Sequence, residues 1–212
     1  MTLVSTELDA FAPAHAMLSA LRERHLSSRE IVQMHLDRIG RDNGAPNAIV
    51  VPANEPLAAA DAADRLRTEG EQGAVLGLPV TLKESTHVLG TTVGVLQFKE
   101  FVAADYGAVP QGVLGAGAVL GETNVPPMLA DWQSTNPIYG RTVNPSNAAV
   151  TPGGSTGGAA AIAAGLCPVE FGSDIGGSAA NRMSRIREPP SDAPQLHNRS
   201  GLGLRVFAGA RA

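Results

Sequence analysis

The sequence predicts an α/β fold in which a mixed β-sheet is flanked by helices. Segments with apolar residues at helical spacing alternate along the chain with short apolar runs that fit buried strands. Glycine and proline residues separate these segments. The composition agrees, because 43% of the 212 residues are hydrophobic and 17% are charged, values typical of a globular protein with a core. That length suits one domain, or one and a half.

Helices are expected in two segments early in the chain. Residues Ser27–Glu30 have the spacing of a capping box, in which a serine hydroxyl and a glutamate satisfy free N–H groups. Apolar residues then recur at helical spacing as far as Gly40, which marks a stop. After a short strand at residues 47–51, a second helix is expected over about Pro56–Thr68. A proline stands near its first position, and its alanines suit close packing against a sheet.

Three later apolar runs are expected to form strands. The first follows the turn at Gly77 and ends at Lys83, and the second covers residues 118–121. The third lies around residues 169–171 and follows a helix of small residues that ends at Ala164. The glycine- and proline-rich stretch from Asp131 to Gly154, between the second strand and that helix, is expected to be a loop.

Composition and charge exclude several functional classes. The formal net charge is −4 and no basic block precedes the last segment, so nucleic-acid binding is not expected, because it requires clustered Lys and Arg. The single cysteine, Cys167, excludes an internal disulfide and fits a cytoplasmic protein. The first residues do not resemble a secretory signal, and the longest uncharged run, residues 157–169, is too short to span a bilayer. The histidines show no ligand-type spacing, so no metal or other cofactor is expected, and His35 is expected either to pack or to act as a cap.

Two glycine-flanked serines are the candidate nucleophiles. Ser155 lies in Gly-Gly-Ser-Thr-Gly-Gly, and Ser178 ends Gly-Ser-Asp-Ile-Gly-Gly-Ser. Glycines beside a serine let consecutive backbone N–H groups point at one spot, where they would stabilise the oxyanion of a reacting carbonyl. Either loop alone is equally well explained as a tight turn. Two such loops around a helix and a strand favour a catalytic site.

The candidate base is a lysine. A serine hydroxyl needs a base before it can attack an amide, and the chain has two lysines, Lys83 and Lys99. Lys83 closes an apolar strand, where desolvation would lower its pKa and leave part of it neutral. Lys99 lies in a mixed polar and aromatic stretch and is expected to face solvent.

Together these motifs resemble those of the amidase signature family. They are a Gly-x-Pro-x-x-x-Lys strand end at residues 77–83, a Gly-Gly-Ser-Thr-Gly-Gly loop at 153–158, a Gly-Ser-Asp-x-Gly-Gly-Ser loop at 172–178, and family-like segments at 121–124 and 136–145. The resemblance covers roughly residues 5–178. It implies that residues 1–178 form the N-terminal part, and only that part, of an amidase signature fold.

By this resemblance, Ser178 is the nucleophile, Lys83 is the general base, and Ser155 is a bridging serine that follows a cis peptide bond. Lys83 would accept a proton from Ser155, which would accept one from Ser178. The oxyanion would be held by the backbone N–H groups of Ile175, Gly176 and Gly177. The implied activity is hydrolysis of a small-molecule carboxylic amide through an acyl-enzyme. The acyl group and the oligomeric state, a homo-oligomer included, stay open.

The resemblance ends after Ser178. Residues 179–212 contain six arginines and two acids and are expected to form an atypical, disordered tail. Our hypothesis is that the chain is truncated, or its reading frame shifted, after the nucleophile motif. Upstream, the family helix expected within residues 105–117 is interrupted by Pro110 and glycines, so this stretch is expected to be irregular.

Alternative interpretations remain open. Residues Gly153–Gly157 also fit the G-x-S-x-G nucleophile elbow of α/β-hydrolases, with Asp192 and His197 completing a triad, although no strand is expected directly before them. The motifs also fit an inactive fragment, or the amidase component of a glutamyl-tRNA(Gln) amidotransferase that passes ammonia to a partner. Three further side chains either line the substrate pocket or pack in the core: Met128, Trp132 and Tyr139.

Overall fold

The fold is built on a mixed five-stranded sheet with helices on both faces. The structure, a computed structural model, describes residues 8–86, 88, 96–153 and 156–173 and a strand at 204–208. The helices are α1 (Ala14–Arg22), α2 (Ser28–Asp42), α3 (Pro56–Thr68), α4 (Ala108–Leu114) and α5 (Gly158–Ala163). The strands are β1 (Ile49–Pro52), β2 (Pro79–Lys83), β3 (Ala118–Thr123), β4 (Thr135–Asn136), β5 (Gly140–Arg141), β6 (Val169–Ser173) and β7 (Leu204–Ala208).

The sheet order, β1-β3-β2-β6-β7, brings three strand ends together. Strand β2 is central and pairs in parallel with both β3 and β6, whereas β1 and β7 pair antiparallel at the two sides. Lys83 is the register partner of Thr123, and Leu82 that of Phe171. The carboxyl ends of β2, β3 and β6 therefore meet at one edge of the sheet, which is where α/β proteins place their ligands.

The two faces of the central strands differ in chemistry. One face carries Val80, Leu82, Val169 and Phe171, which pack with residues of α1 and α4. Side chains alternate across a strand, so the opposite face carries the residues between them. That second face is polar yet buried, with Thr81, Thr123 and Glu170 at 0% exposure and Lys83 at 2%.

The predicted helices and strands of the first half are confirmed. The capping box is present: the Glu30 N–H donates to Ser27 Oγ at 3.1 Å and the Ser27 N–H donates to Glu30 Oε2 at 2.8 Å. Helix α2 runs two residues past Gly40, while α3 has the predicted bounds. Strand β2 ends at Lys83, as predicted.

Five elements differ from the expectations, and two of them are the short strands β4 and β5, which form within the stretch 131–154 that was expected to be a loop. Helix α1 was not predicted, and α4 forms where an irregular stretch was expected. Pro110 is compatible with α4 because it is the third helical residue, and the first N–H groups of a helix have no intrahelical acceptor. Strand β7, at residues 204–208, lies within the segment expected to be an atypical tail and pairs antiparallel with β6. This pairing occupies backbone groups of β6 that would otherwise form an open strand edge.

None of the helices in the described parts of the chain is long and apolar enough to cross a membrane.

Candidate active site

Lys83 lies at the last position of β2, at the edge where the parallel strands end. Its side chain is 2% exposed. The side-chain nitrogen, Nζ, donates to the backbone oxygen and to Oγ of Ser173, both at 3.2 Å. Lys99 is different, as predicted: its side chain is 57% exposed and lies 3.7 Å from the Glu100 carboxylate. Lys83 is therefore the lysine that is buried beside a serine-containing loop.

The loop that Lys83 contacts is the start of the second glycine-serine motif. Strand β6 ends at Ser173, which is the second residue of the motif at 172–178. The predicted nucleophile Ser178 lies five residues further on. It lies outside the described residues, as do the predicted oxyanion-hole residues Ile175, Gly176 and Gly177.

The first glycine-serine loop covers the same buried polar face. The predicted bridging serine, Ser155, and the bond that precedes it lie outside the described residues, but Thr156 is described and 0% exposed. Thr156 Oγ1 lies 2.6 Å from Thr123 Oγ1 and donates to Glu170 Oε1 at 2.6 Å. Because Thr123 is the register partner of Lys83, the residue after Ser155 lies next to the strand position beside Lys83.

The glycines of this loop permit close approach to the sheet. A Cβ at Gly157 would lie 2.6 Å from the backbone oxygen of Ala48. A Cβ at Gly158 would overlap the Glu170 carboxylate, at 0.7 Å from Oε2. Backbone hydrogen bonds hold the loop in place, since the Gly157 N–H donates to the Asn124 oxygen at 2.7 Å. Neither residue has a positive φ. Glycine is therefore required here because a Cβ would have no room, and not because of the backbone conformation.

Asn124, which follows β3, connects this loop to the β4–β5 hairpin. Its Nδ2 donates to the Gly140 oxygen and to Thr142 Oγ1, both at 3.0 Å. Between β4 and β5, the Tyr139 hydroxyl donates to Glu84 Oε1 at 3.0 Å. Glu84 directly follows Lys83 in the chain. The segment 136–142 is thereby fixed against the edge that carries Lys83.

The three side chains expected either in a pocket or in the core have different positions. Tyr139 is partly buried and hydrogen-bonded to Glu84. Met128 is 58% exposed and Trp132 is 57% exposed. The alternative that they pack in the core is therefore wrong for Met128 and Trp132.

Several residues of the site were not found from the sequence. Glu170, Thr123 and Thr156 form a buried hydrogen-bonded group on the face that carries Lys83. One signal was available, because an acidic residue between Val169 and Phe171 interrupts an apolar run, and a buried charge needs partners. Its partners come from distant segments and could not be identified by spacing.

Cys167 lies beside this group and is buried, at 1% exposure. Burial raises the pKa of the Cys167 thiol to about 12, with a further rise from the nearby Glu170 charge. A hydrogen bond between its sulfur and Thr81 Oγ1, at 3.1 Å, acts in the opposite direction. Because nucleophilic cysteines require a lowered pKa, Cys167 does not compete with the serines as a candidate nucleophile.

The nucleophile-elbow interpretation of Gly153–Gly157 fails on local structure. An elbow requires a strand that leads directly into the serine turn. Residues 142–153 contain no strand, only an isolated bridge between Asn144 and Asn147. The other two residues of that triad, Asp192 and His197, lie outside the described residues.

Comparison with known proteins identifies the family. The family model described as Amidase matches residues 30–180. The chain belongs to the amidase signature family. It is 41% identical over 178 residues to a glutamyl-tRNA(Gln) amidotransferase subunit of Chromohalobacter salexigens, covering 82% of this chain and 35% of that one. It is 40% identical over 166 residues to the indoleacetamide hydrolase of Bradyrhizobium diazoefficiens, covering 76% and 32%.

Solved structures of the family share the fold described above. A bacterial aryl acylamidase of the amidase signature family superimposes with a TM-score of 0.73 at 30% sequence identity, covering 79% of this chain and 36% of that one. This amidase signature chain spans about a third of the length of the curated relatives it matches.

Proposed function

We propose that this chain carries the catalytic group of an amide hydrolase that cleaves a carboxylic amide C–N bond and releases ammonia or an amine. In this proposal Ser178 attacks the amide carbonyl, Ser155 relays its proton, and Lys83 is the general base. Backbone N–H groups of residues 175–177 stabilise the oxyanion. The relay then returns the proton to the amine nitrogen as the C–N bond breaks, and water hydrolyses the acyl-enzyme and regenerates Ser178.

The observation that carries the proposal is the environment of Lys83. A buried ammonium is disfavoured by desolvation, and Lys83 is 2% exposed at the sheet edge. Its Nζ donates to Ser173, five residues before the proposed nucleophile. The loop that contains Ser155 reaches the same edge through Thr156 and Thr123. A base and two serine loops that converge on one edge are what nucleophilic catalysis by serine requires.

The second lysine provides a matched control for the experiment. The rate of acylation by a fluorophosphonate would be measured for the wild type, Lys83→Ala and Lys99→Ala. We expect Lys83→Ala to lower the rate at least about a hundredfold, because general-base catalysis typically contributes that much or more. Lys99→Ala should label at the wild-type rate, because its side chain is exposed. A Lys83→Ala variant that folds and labels normally would remove Lys83 from the mechanism.

A second candidate function is favoured by the relatives. The similar chain of C. salexigens belongs to an amidotransferase, so this chain would then release ammonia from glutamine for a partner enzyme. Ammonia release from glutamine would be assayed with and without added amidotransferase partner proteins and tRNA. Activity on simple amides without any addition supports a free-standing amidase. Activity that appears only with the additions supports the amidotransferase role.

A further inference from the structure

A carboxylate lies in the middle of the buried polar face. Glu170 is 0% exposed and stands between two apolar residues of β6. Burying a carboxylate costs free energy unless hydrogen-bond donors surround it. Glu170 Oε1 accepts from two threonine hydroxyls, Thr123 at 2.5 Å and Thr156 at 2.6 Å. Both donors lie on segments that lead into the candidate site.

Thr156 is the point at which this carboxylate reaches the serine loop. Its hydroxyl forms a triangle with Thr123 Oγ1 and Glu170 Oε1, and it also accepts the N–H of Gly158 at 3.1 Å. The side chain therefore connects the start of α5 to β3 and β6 at once. The carboxylate also fills the space against Gly158, where a Cβ would lie 0.7 Å from Oε2. Loop and carboxylate fit together without spare volume.

We propose that Glu170 is a positioning residue, which holds Thr156, the residue after Ser155, at a fixed distance from the strand end that carries Lys83. This inference rests on the proposed function, because it assigns a role in presenting Ser155. The fixed reference is Thr123, which is both the register partner of Lys83 and a hydrogen-bond donor to the carboxylate. Misplacing a catalytic group by about 1 Å can cost about a hundredfold in rate.

The acceptor chemistry of Glu170 suits this role. A single oxygen, Oε1, accepts from both threonine hydroxyls and so orients the two side chains. A glutamine at position 170 keeps an acceptor oxygen for the hydroxyls of Thr123 and Thr156, whereas an alanine removes that acceptor. The role therefore predicts that Glu170→Gln preserves the geometry and Glu170→Ala loses it.

Thr81 supplies a matched control on the same face. It is the register partner of Glu170 on β2, is equally buried, and contacts Cys167. Thr81→Val removes a buried hydrogen bond at the same depth in the sheet. A general loss of packing would affect Thr81→Val and Glu170→Ala alike, whereas a loss of positioning affects only Glu170→Ala.

The test measures the fluorophosphonate acylation rate per folded molecule. We expect Glu170→Ala to slow acylation at least about tenfold, because the serine loop loses its anchor. Glu170→Gln and Thr81→Val should remain within about threefold of the wild type. Hydrogen exchange supplies a readout that needs no activity: the amides of Gly157 and Gly158 should exchange faster in Glu170→Ala, with those of α2 unchanged.

The outcomes separate the two proposals. Wild-type acylation and exchange in Glu170→Ala would overturn the positioning role and leave the proposed function standing. If the wild type itself takes no adduct, the proposed function fails, and unchanged exchange in Glu170→Ala would overturn the anchoring as well. Should Glu170→Ala fail to fold, Thr156→Val removes the same contact with a smaller change in volume. It should also slow acylation about tenfold, and a wild-type rate in this variant would contradict the inference.

Discussion

At the scale of single residues, buried polar side chains determine how this chain responds to pH. His35 is 0% exposed on α2, and its Nδ1 lies 3.2 Å from the backbone oxygen of Gly165. Burial lowers the pKa of His35 to about 4, and the nearby Arg38 charge acts in the same direction. The histidine is therefore packed and neutral, as expected from its place on the apolar side of the helix.

This environment predicts a loss of stability in mild acid. The folded-state pKa of His35 lies below its ordinary value of 6.5, so the unfolded chain binds more protons between these two values. The contribution of neutral His35 to the free energy of unfolding is fully present above pH 6.5. It falls by about 3 kcal/mol as the pH drops to 4. Urea unfolding of the wild type and His35→Gln at several pH values measures it. The variant should lose less stability on acidification, and equal losses would contradict the assignment.

The residues of the site differ in how far the sequence predicts them. Lys83 was found because the motif around it is local: a turn, a proline and an apolar strand lead directly to the lysine. The Glu170 contacts were not found, since Thr123 is 47 positions away and Thr156 is 14 away. Such contacts depend on which strands become neighbours, and side-chain periodicity carries no information on strand order.

At the scale of elements, backbone atoms of neighbouring segments lie so close to Gly157, where the serine loop meets α5, that no side chain fits there. A Cβ at Gly157 would meet the Ala48 oxygen at 2.6 Å and the Asn124 nitrogen at 3.2 Å. These two atoms form a hydrogen bond with each other, in which the Asn124 N–H donates to the Ala48 oxygen. Neither can move aside without breaking that bond, so the loop and β3 would have to separate.

Two alanine substitutions test this constraint. Gly157→Ala should destabilise the chain by about 1–3 kcal/mol, the usual cost of forcing extra atoms into packed structure. Gly112→Ala, in α4, should instead stabilise it by about 0.5–1 kcal/mol, because a Cβ there meets no atom within 4 Å. Thermal unfolding of both variants measures the difference. A Gly157→Ala chain as stable as the wild type would show that the loop does not lie this close to β3.

Elements with strong local signals were predicted, and the others depended on tertiary structure. Helices α2 and α3 have a capping box or an initial proline, and both formed as expected. Helix α1 has no side-chain cap, although Met17 and Leu21 on one face pack into the core. Strand β7 is stabilised by pairing with β6, which no local pattern could indicate.

At the scale of the whole molecule, the reactivity of one buried thiol, that of Cys167, indicates whether the sheet has formed. Cys167 is 1% exposed and packs with residues of β1, β3 and α5. With a pKa of about 12 in place of 9, it carries about a thousandfold less thiolate near neutral pH. Its reactivity therefore tests whether this chain, about a third of the length of its relatives, forms the described core by itself.

We expect a maleimide to modify native Cys167 at least about a hundredfold more slowly than the urea-unfolded chain, given the lower thiolate population. The modification would be followed by mass spectrometry across a urea series at about pH 7.5, below the ordinary thiol pKa. The rate should rise over the same urea range in which helical circular dichroism is lost. Rapid modification without urea would mean that the sheet is not closed over Cys167.

The location of a covalent adduct distinguishes Ser178 from every other candidate nucleophile of the chain. The purified chain would be treated with a fluorophosphonate, digested, and analysed by tandem mass spectrometry. We expect one adduct, on Ser178, that is absent from Lys83→Ala. An adduct on Ser155 in place of Ser178, or none on a chain whose Cys167 is protected, would contradict the proposed catalytic group.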